Sequence, residues 1–176
     1  MSFDERQFRD ALGAFSTGVA IVTGVTASGE RLGMTVSSFN SVSISPPLVL
    51  FSVAHRAHSF AAWTQVPGYA VNILSQEQEA ISNRFARPLV DKWTNTLVFD
   101  GDTGVPLLPN ALAAFECEAH ARYEGGDHEI FVGRVIALRM SPLKQQPLVF
   151  FGGRYRRIDL EFGDVPPRDA NIFEGW

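Results

Sequence analysis

AFECEAHARYEGGDHEIFVGRVIALRM, residues 114–140, carries the clearest periodicity in the chain. Phe115, Cys117, Ala119, Ala121 and Tyr123 alternate with Glu116, Glu118, His120, Arg122 and Glu124. A period of two marks a half-buried strand with one dry face and one wet face. Glu124-Gly125-Gly126-Asp127 supplies a turn, and residues 128–140 return as the partner strand. A long antiparallel hairpin is therefore the expected centre of the fold.

The segments on either side fit that hairpin. Residues 2–15 read as a helix, with Ser2 and Glu5 at capping-box spacing and Phe8, Leu12 and Phe15 on one stripe. Residues 18–26 read as a β-branched strand, and a turn follows at Ser28-Gly29. Residues 35–39, 47–53 and 69–74 read as further strands, and 147–160 as one or two more. Two short helices are expected: 58–66, with Ser59 placed to cap it, and 75–86, with Ser75 as cap and Gln78 three residues on. Residues 86–110 read as irregular. The connections are too short for parallel crossovers, which need a dozen or more residues. The expected fold class is mainly β, an antiparallel barrel decorated with short helices.

Composition narrows the function. The chain has 176 residues, 45% of them hydrophobic, including 14 phenylalanines, which fits one domain with an aromatic-rich core. Its formal net charge of −4 gives no basic field for duplex nucleic acid and no basic run for an anionic membrane surface. The longest apolar run is too short to cross a bilayer. The N-terminus, polar and acidic, does not read as a secretory signal. The single cysteine, Cys117, rules out an internal disulfide. A soluble, cytoplasmic protein is the expectation.

Familiar catalytic motifs are missing. There is no GxxxxGK[ST], no GxSxG and no dinucleotide fingerprint after a first strand. His55 and His58 have H-x-x-H spacing, but no further ligand pattern surrounds them, so no metal is expected. Cys117 falls on the dry face as an inert thiol, and His120 on the wet face. Asp127 has a turn residue's backbone reason for its place. His128 has none and is a candidate contact for a ligand.

GMTVSSFNSVSISPPLVLFSV, residues 33–53, packs six serines and a threonine beside an apolar run. A flavin would use such a stretch. Its ring is flat, largely apolar and edged with hydrogen-bonding groups, so it suits a strand edge with small hydroxyls and a dry wall behind. Its phosphate suits hydroxyls and helix N-terminal amides. Thr35, Ser37 and Ser38 can serve the ring, and Ser59 and Phe60 the phosphate, with Arg84 near another helix end. Hydride transfer between nicotinamide and flavin needs no protein nucleophile. Hydroxyl-rich strands also occur on the wet faces of ordinary sheets, so the stretch alone leaves both readings open.

Several pieces in order, FSTGVAIVT (15–23), GMTVSSF (33–39), SPPL (45–48), HSFAAW (58–63), SNRFA (82–86), GDHEIFVGRV (126–135) and PLVFFGGRY (147–155), resemble the flavin reductase domain family. These are short-chain NAD(P)H:flavin reductases that serve two-component monooxygenases. The resemblance implies a six-stranded split barrel over residues 1–160, a tail over 161–176, and assembly as a homodimer. It implies FMN or FAD lying along Gly33, Met34, Thr35, Val36, Ser37 and Ser38, with Ser52, Val53 and Ala54 at the other edge of the ring. Ser59 and Phe60 would meet phosphate, with Arg84 and Phe85 nearby. His128 would face the nicotinamide of NADH or NADPH and orient it, and Tyr155 would close the same pocket. Reduced flavin would diffuse to a separate monooxygenase. A split-barrel protein holding its flavin tightly for its own substrate and a non-catalytic flavin binder are the alternatives.

Overall fold

The alternation of residues 114–140 does build a hairpin, in a computed structural model that describes residues 3–88 and 91–158. In chain order the elements are α1 (Glu5–Leu12), β1 (Thr17–Gly18), β2 (Ala20–Val25), β3 (Arg31–Val36), β4 (Asn40–Ser43) and β5 (Leu48–Ala54). Then come α2 (Phe60–Trp63), β6 (Gly68–Ile73), a 3-10 turn (Gln76–Gln78) and α3 (Glu79–Ala86). The last six strands are β7 (Phe99–Asp100), β8 (Pro106–Leu107), β9 (Ala113–Gly125), β10 (His128–Met140), β11 (Val149–Phe151) and β12 (Arg154–Arg156).

Seven strands form one antiparallel sheet in the order β3-β2-β6-β9-β10-β5-β4. Its two edge strands, β3 and β4, are consecutive in the chain. The step from Val36 to Asn40 spans at most about 14 Å, whereas the edges of a flat seven-stranded sheet would lie about 29 Å apart. The sheet must therefore curl until its edges approach, and the result is a split barrel. Ser38 Oγ accepts from the Ser52 amide at 3.0 Å, so the short link between the two edge strands is tied to β5 by a side chain.

Alternate residues of the curled sheet fill its interior. Phe51 stacks on Phe131 at 5.3 Å and meets Tyr69 and Trp63 edge-on at 4.9 and 6.0 Å. All four are essentially buried, so the aromatic core expected from composition forms here. β2 is buried on both faces, which explains why Thr23 is its one polar side chain. Ala20 and Val22 point into the barrel, while Ile21 packs outward with Phe85 of α3 and with Leu148. A small sheet of β1, β11 and β12 covers that outer side.

Several local expectations change: the strand expected at 35–39 is β3, Arg31–Val36, which ends before Ser37, and the helices expected at 2–15 and 58–66 shorten to Glu5–Leu12 and Phe60–Trp63. α1 is capped by Asp4, not Ser2: Gln7 N donates to the Asp4 carboxylate at 2.7 Å, and Asp4 N to the Gln7 side chain at 2.9 Å. A carboxylate also suits the positive end of a helix dipole. Ser2 lies outside the described residues, as does the tail from 159 onward. Ser59 occupies the N-cap position of α2, but its side chain makes no capping bond. Glu116, expected on the wet face, is fully buried.

Glu116 is buried because the loop before β8 folds over it. Its Oε2 accepts from the amide and hydroxyl of Thr103, each at 2.8 Å, and Arg139 Nε lies 3.6 Å from Oε1. Burial pushes the carboxyl up, but Thr103, the Asp102 amide and the Arg139 guanidinium outweigh it and hold it below its usual range. A depressed carboxylate stabilises the fold above its unfolded value of about 4.3, and that contribution is lost as pH falls through the folded value. Glu116→Gln is expected to lower the melting temperature at pH 7 and to flatten its fall below pH 5. Thermal melts across pH check this, and a variant with the wild-type acid limb would contradict it. Cys117, next along, is buried, and its thiol is pushed up to about 12 by burial and then by the Glu116 charge. It is an inert core residue.

Candidate functional site

β3 is an edge strand, so every second residue turns its amide and carbonyl away from β2. Two of those outward carbonyls are claimed by side chains from the segment after α3. Trp93 Nε1 donates to Arg31 O at 2.9 Å, and Lys92 Nζ donates to Gly33 O at 2.9 Å. The same alternation turns the Thr35 carbonyl and amide outward, and among the described residues nothing takes them. The first untaken outward carbonyl is thus that of Thr35, and the chain runs on from it into Ser37 and Ser38, both exposed.

Across the split lies the end of β5. Ser52, Val53 and Ala54 pair with Ile130, Glu129 and His128 at the start of β10. Asp127 O accepts from the His55 amide at 3.0 Å, and the His55 ring meets Phe60 edge-on at 5.0 Å. The Ser38–Ser52 bond joins the two sides. Thr35 through Ser38, Ser52 through Ala54, the start of α2 with Ser59 and Phe60, and Asp127-His128 therefore form one rim. Asp127 Oδ1 lies 2.6 Å from His128 Nδ1. That bond first, and the His128 charge second, hold the Asp127 carboxyl below its usual range. A carboxylate only accepts, so Nδ1 carries the proton and Nε2 is the nitrogen left for a ligand.

Other candidates take different places. Met34 and Val36 point into the barrel, and Val53 is fully buried, leaving only backbone to offer. The Thr35 hydroxyl donates to Ser82 O at 2.7 Å, so it is held on the α3 side of the strand. Gly33 faces α3 as well: a Cβ there would sit 2.4 Å from Phe85 Cε1. Phe85 is thus a core ring under β3. Arg84 is exposed, and its Nη1 donates to Thr96 Oγ1 at 3.0 Å and to Thr94 O at 3.3 Å. Tyr155 bonds to Ser82 Oγ at 2.8 Å and packs on Phe150. It stands with α3 on the outer side of β3 rather than beside His128.

Asp91, Lys92 and Trp93 fall inside the segment expected to be irregular. An Asp followed three residues on by Thr was the available sign. Its carboxylate accepts from the amides of Trp93 and Thr94 and from the Thr94 hydroxyl, which builds a local turn without regular structure. Among the described residues, no three of His, Cys, Asp and Glu converge as metal ligands, and no helix is long and apolar enough to cross a membrane.

The pattern of the flavin reductase like domain matches residues 12–159. An FMN reductase (NADH) of Agrobacterium fabrum is 43% identical over 164 residues, covering 90% of this chain and 88% of that protein. The reductase subunit of a flavin-dependent monooxygenase from Rhodococcus jostii is 35% identical over 159 residues, covering 90% of this chain and 80% of that one. The solved structure of an NADH:FAD oxidoreductase from Streptomyces globisporus, in complex with NAD and FAD fragments, superposes with a TM-score of 0.85 at 40% identity, over 91% of this chain and 96% of that chain.

Proposed function

The chain belongs to the flavin reductase like domain family, and from that membership we propose that it is an NADH:flavin oxidoreductase supplying reduced flavin to a separate flavin-dependent monooxygenase. The observation that carries the site is the free edge of β3 at Thr35, set opposite the Asp127-His128 turn. The pyrimidine edge of a flavin presents acceptors on either side of one N–H donor. An outward backbone amide and carbonyl at Thr35, followed by the hydroxyls of Ser37 and Ser38, offer the complementary groups. The residues present therefore fit FMN or FAD.

When bound, the flavin supplies a ring that accepts hydride from a nicotinamide. The chain's part is placement, which carries most of the acceleration in a transfer between two held partners. Thr35 and Ser37-Ser38 hold one side of the ring, and the Ser52–Ala54 backbone forms the other. Ser59 and Phe60, at the start of α2, would take the phosphate arm, with Arg84 held by Thr94 and Thr96. His128 offers Nε2 to the dinucleotide, with Asp127 fixing the ring. No group here needs to act as a base.

Three further parts of the reading have support of their own. A homodimer is supported by the exposed apolar side chains Val42, Ile44, Ile136, Leu138 and Met140 on β4 and β10 and the stretch after β4, which a partner subunit could cover. A monooxygenase partner is supported by the reductase-subunit relative. A cytoplasmic location is supported by the lone, buried cysteine.

Steady-state NADH oxidation by purified protein, with and without added FMN, FAD or riboflavin, tests the proposal. Activity is expected only with added flavin, saturating at micromolar levels, and the same data rank FMN against FAD. A protein that is yellow as purified and turns over without added flavin would instead hold its flavin for its own substrate. A protein inactive with NADH and NADPH under all these conditions would sink the catalytic reading.

A further inference from the structure

An edge strand normally leaves its outward carbonyls to water or to a neighbouring strand. On β3 the successive outward carbonyls of Arg31 and Gly33 are instead taken by Trp93 Nε1 and Lys92 Nζ, both at 2.9 Å. Lys92 also donates to Phe85 O at 3.0 Å, one of the last carbonyls of α3, which have no partner inside the helix. One half-buried ammonium therefore fastens the edge of β3 to the end of α3. The rings of Phe85 and Trp93 meet at 5.1 Å and 87°, closing over Gly33. The Asp91 turn sets this pair in place.

We infer that Lys92 and Trp93 are positioning residues of the flavin site, standing in for a missing strand along β3 as far as Gly33 and so fixing where the open edge at Thr35 begins. The inference rests on the proposed flavin reductase reading and adds two residues to it. Neither side chain is placed against the flavin. Each acts through the β3 backbone, which the same register carries from Arg31 and Gly33 to Thr35. Losing the tie lets the strand edge shift or admit water where the ring should meet a fixed carbonyl. The nicotinamide side, at His128, lies across the split on β10 and shares none of these bonds.

The test compares wild type, Lys92→Met and Trp93→Phe in two measurements: FMN and FAD binding by quenching of flavin fluorescence, and the KM for NADH at saturating flavin. Lys92→Met is expected to weaken flavin binding about tenfold, the size of one lost charge-assisted hydrogen bond. Trp93→Phe, which keeps an aromatic ring and loses only the N–H donor, is expected to weaken it about threefold. The KM for NADH should stay within about twofold in both. A flavin effect at least about threefold larger than the NADH effect in Lys92→Met supports the inference. Any smaller ratio, including unchanged flavin binding or a parallel loss of both, overturns it, because general damage to the fold would move both ligands together. Should Lys92→Met fail to fold, Trp93→Phe decides, and flavin binding unchanged or moving in step with NADH overturns the inference. Wild type that binds no flavin would be a separate result, against the functional reading itself.

Discussion

Gly33→Ala is expected to lower the melting temperature by about 6–10 °C and to weaken flavin binding. The new Cβ would lie 2.4 and 2.7 Å from two ring carbons of Phe85 and 3.0 Å from Trp93 Cζ2. Phe85 is 1% exposed and packs with Val19 and Ile21 behind it, so the ring cannot swing clear. β3 must move instead. Overpacking of this kind destabilises by about 1–3 kcal/mol, and a contact this short belongs at the upper end. A chain of this size loses about 2–4 °C per kcal/mol. The same displacement pulls Gly33 O from Lys92, so flavin binding falls with stability. Gly18→Ala is the control: a Cβ there meets nothing within 4 Å, and its melting temperature should stay near wild type. A Gly33→Ala protein that melts within about 2 °C of wild type would show that Phe85 is free to relax.

That prediction rests on a contact no periodicity reveals. The alternation of residues 114–140 was enough to place the long hairpin, and the β-branched, apolar run of 18–26 was enough to mark a strand, though not its burial on both faces. Short-range patterns of this kind survive because side-chain direction is fixed every second residue. Phe8 and Leu12 lie on α1 while Phe15 falls past its end, and the three remain 51, 58 and 76% exposed. Periodicity tells which residues share a face, not whether anything covers it.

The functional residues divide the same way. Ser37, Ser38 and His128 stood out because their residue types were unusual for their places, and the structure gathers them on one rim. Glu116 was misread because the Thr103 loop that buries it comes from 13 residues upstream in the chain. Lys92 and Trp93 were passed over because they act by bonding backbone carbonyls 59 and 62 residues away, and a donor aimed at a distant carbonyl leaves no local mark. Tyr155 shared a motif with the site but is drawn to Ser82 on the outer side of β3.

His128→Ala is expected to raise the KM for NADH about 10- to 100-fold while flavin binding stays within about twofold. The lower bound corresponds to one hydrogen bond with a charged or strongly polar partner, and the upper to the same bond made in a site that closes over the ligand. The asymmetry follows from position. His128 begins β10 opposite Ala54, on the far side of the split from the free edge at Thr35, so its loss leaves the flavin-facing backbone intact. Its ring is also not free to choose its orientation, because Asp127 holds Nδ1 at 2.6 Å. Asp127→Asn should therefore give a smaller rise in the same constant, since the amide can still bond Nδ1 but without the carboxylate's charge. The kcat at saturating NADH should change little in either variant if the histidine binds and orients the dinucleotide without acting as a base. Steady-state kinetics varying NADH at fixed saturating flavin, with flavin binding measured separately, separates the cases. Flavin affinity that collapses while the KM for NADH holds would place His128 on the flavin instead. A fall in kcat alone would make it a participant in the transfer step.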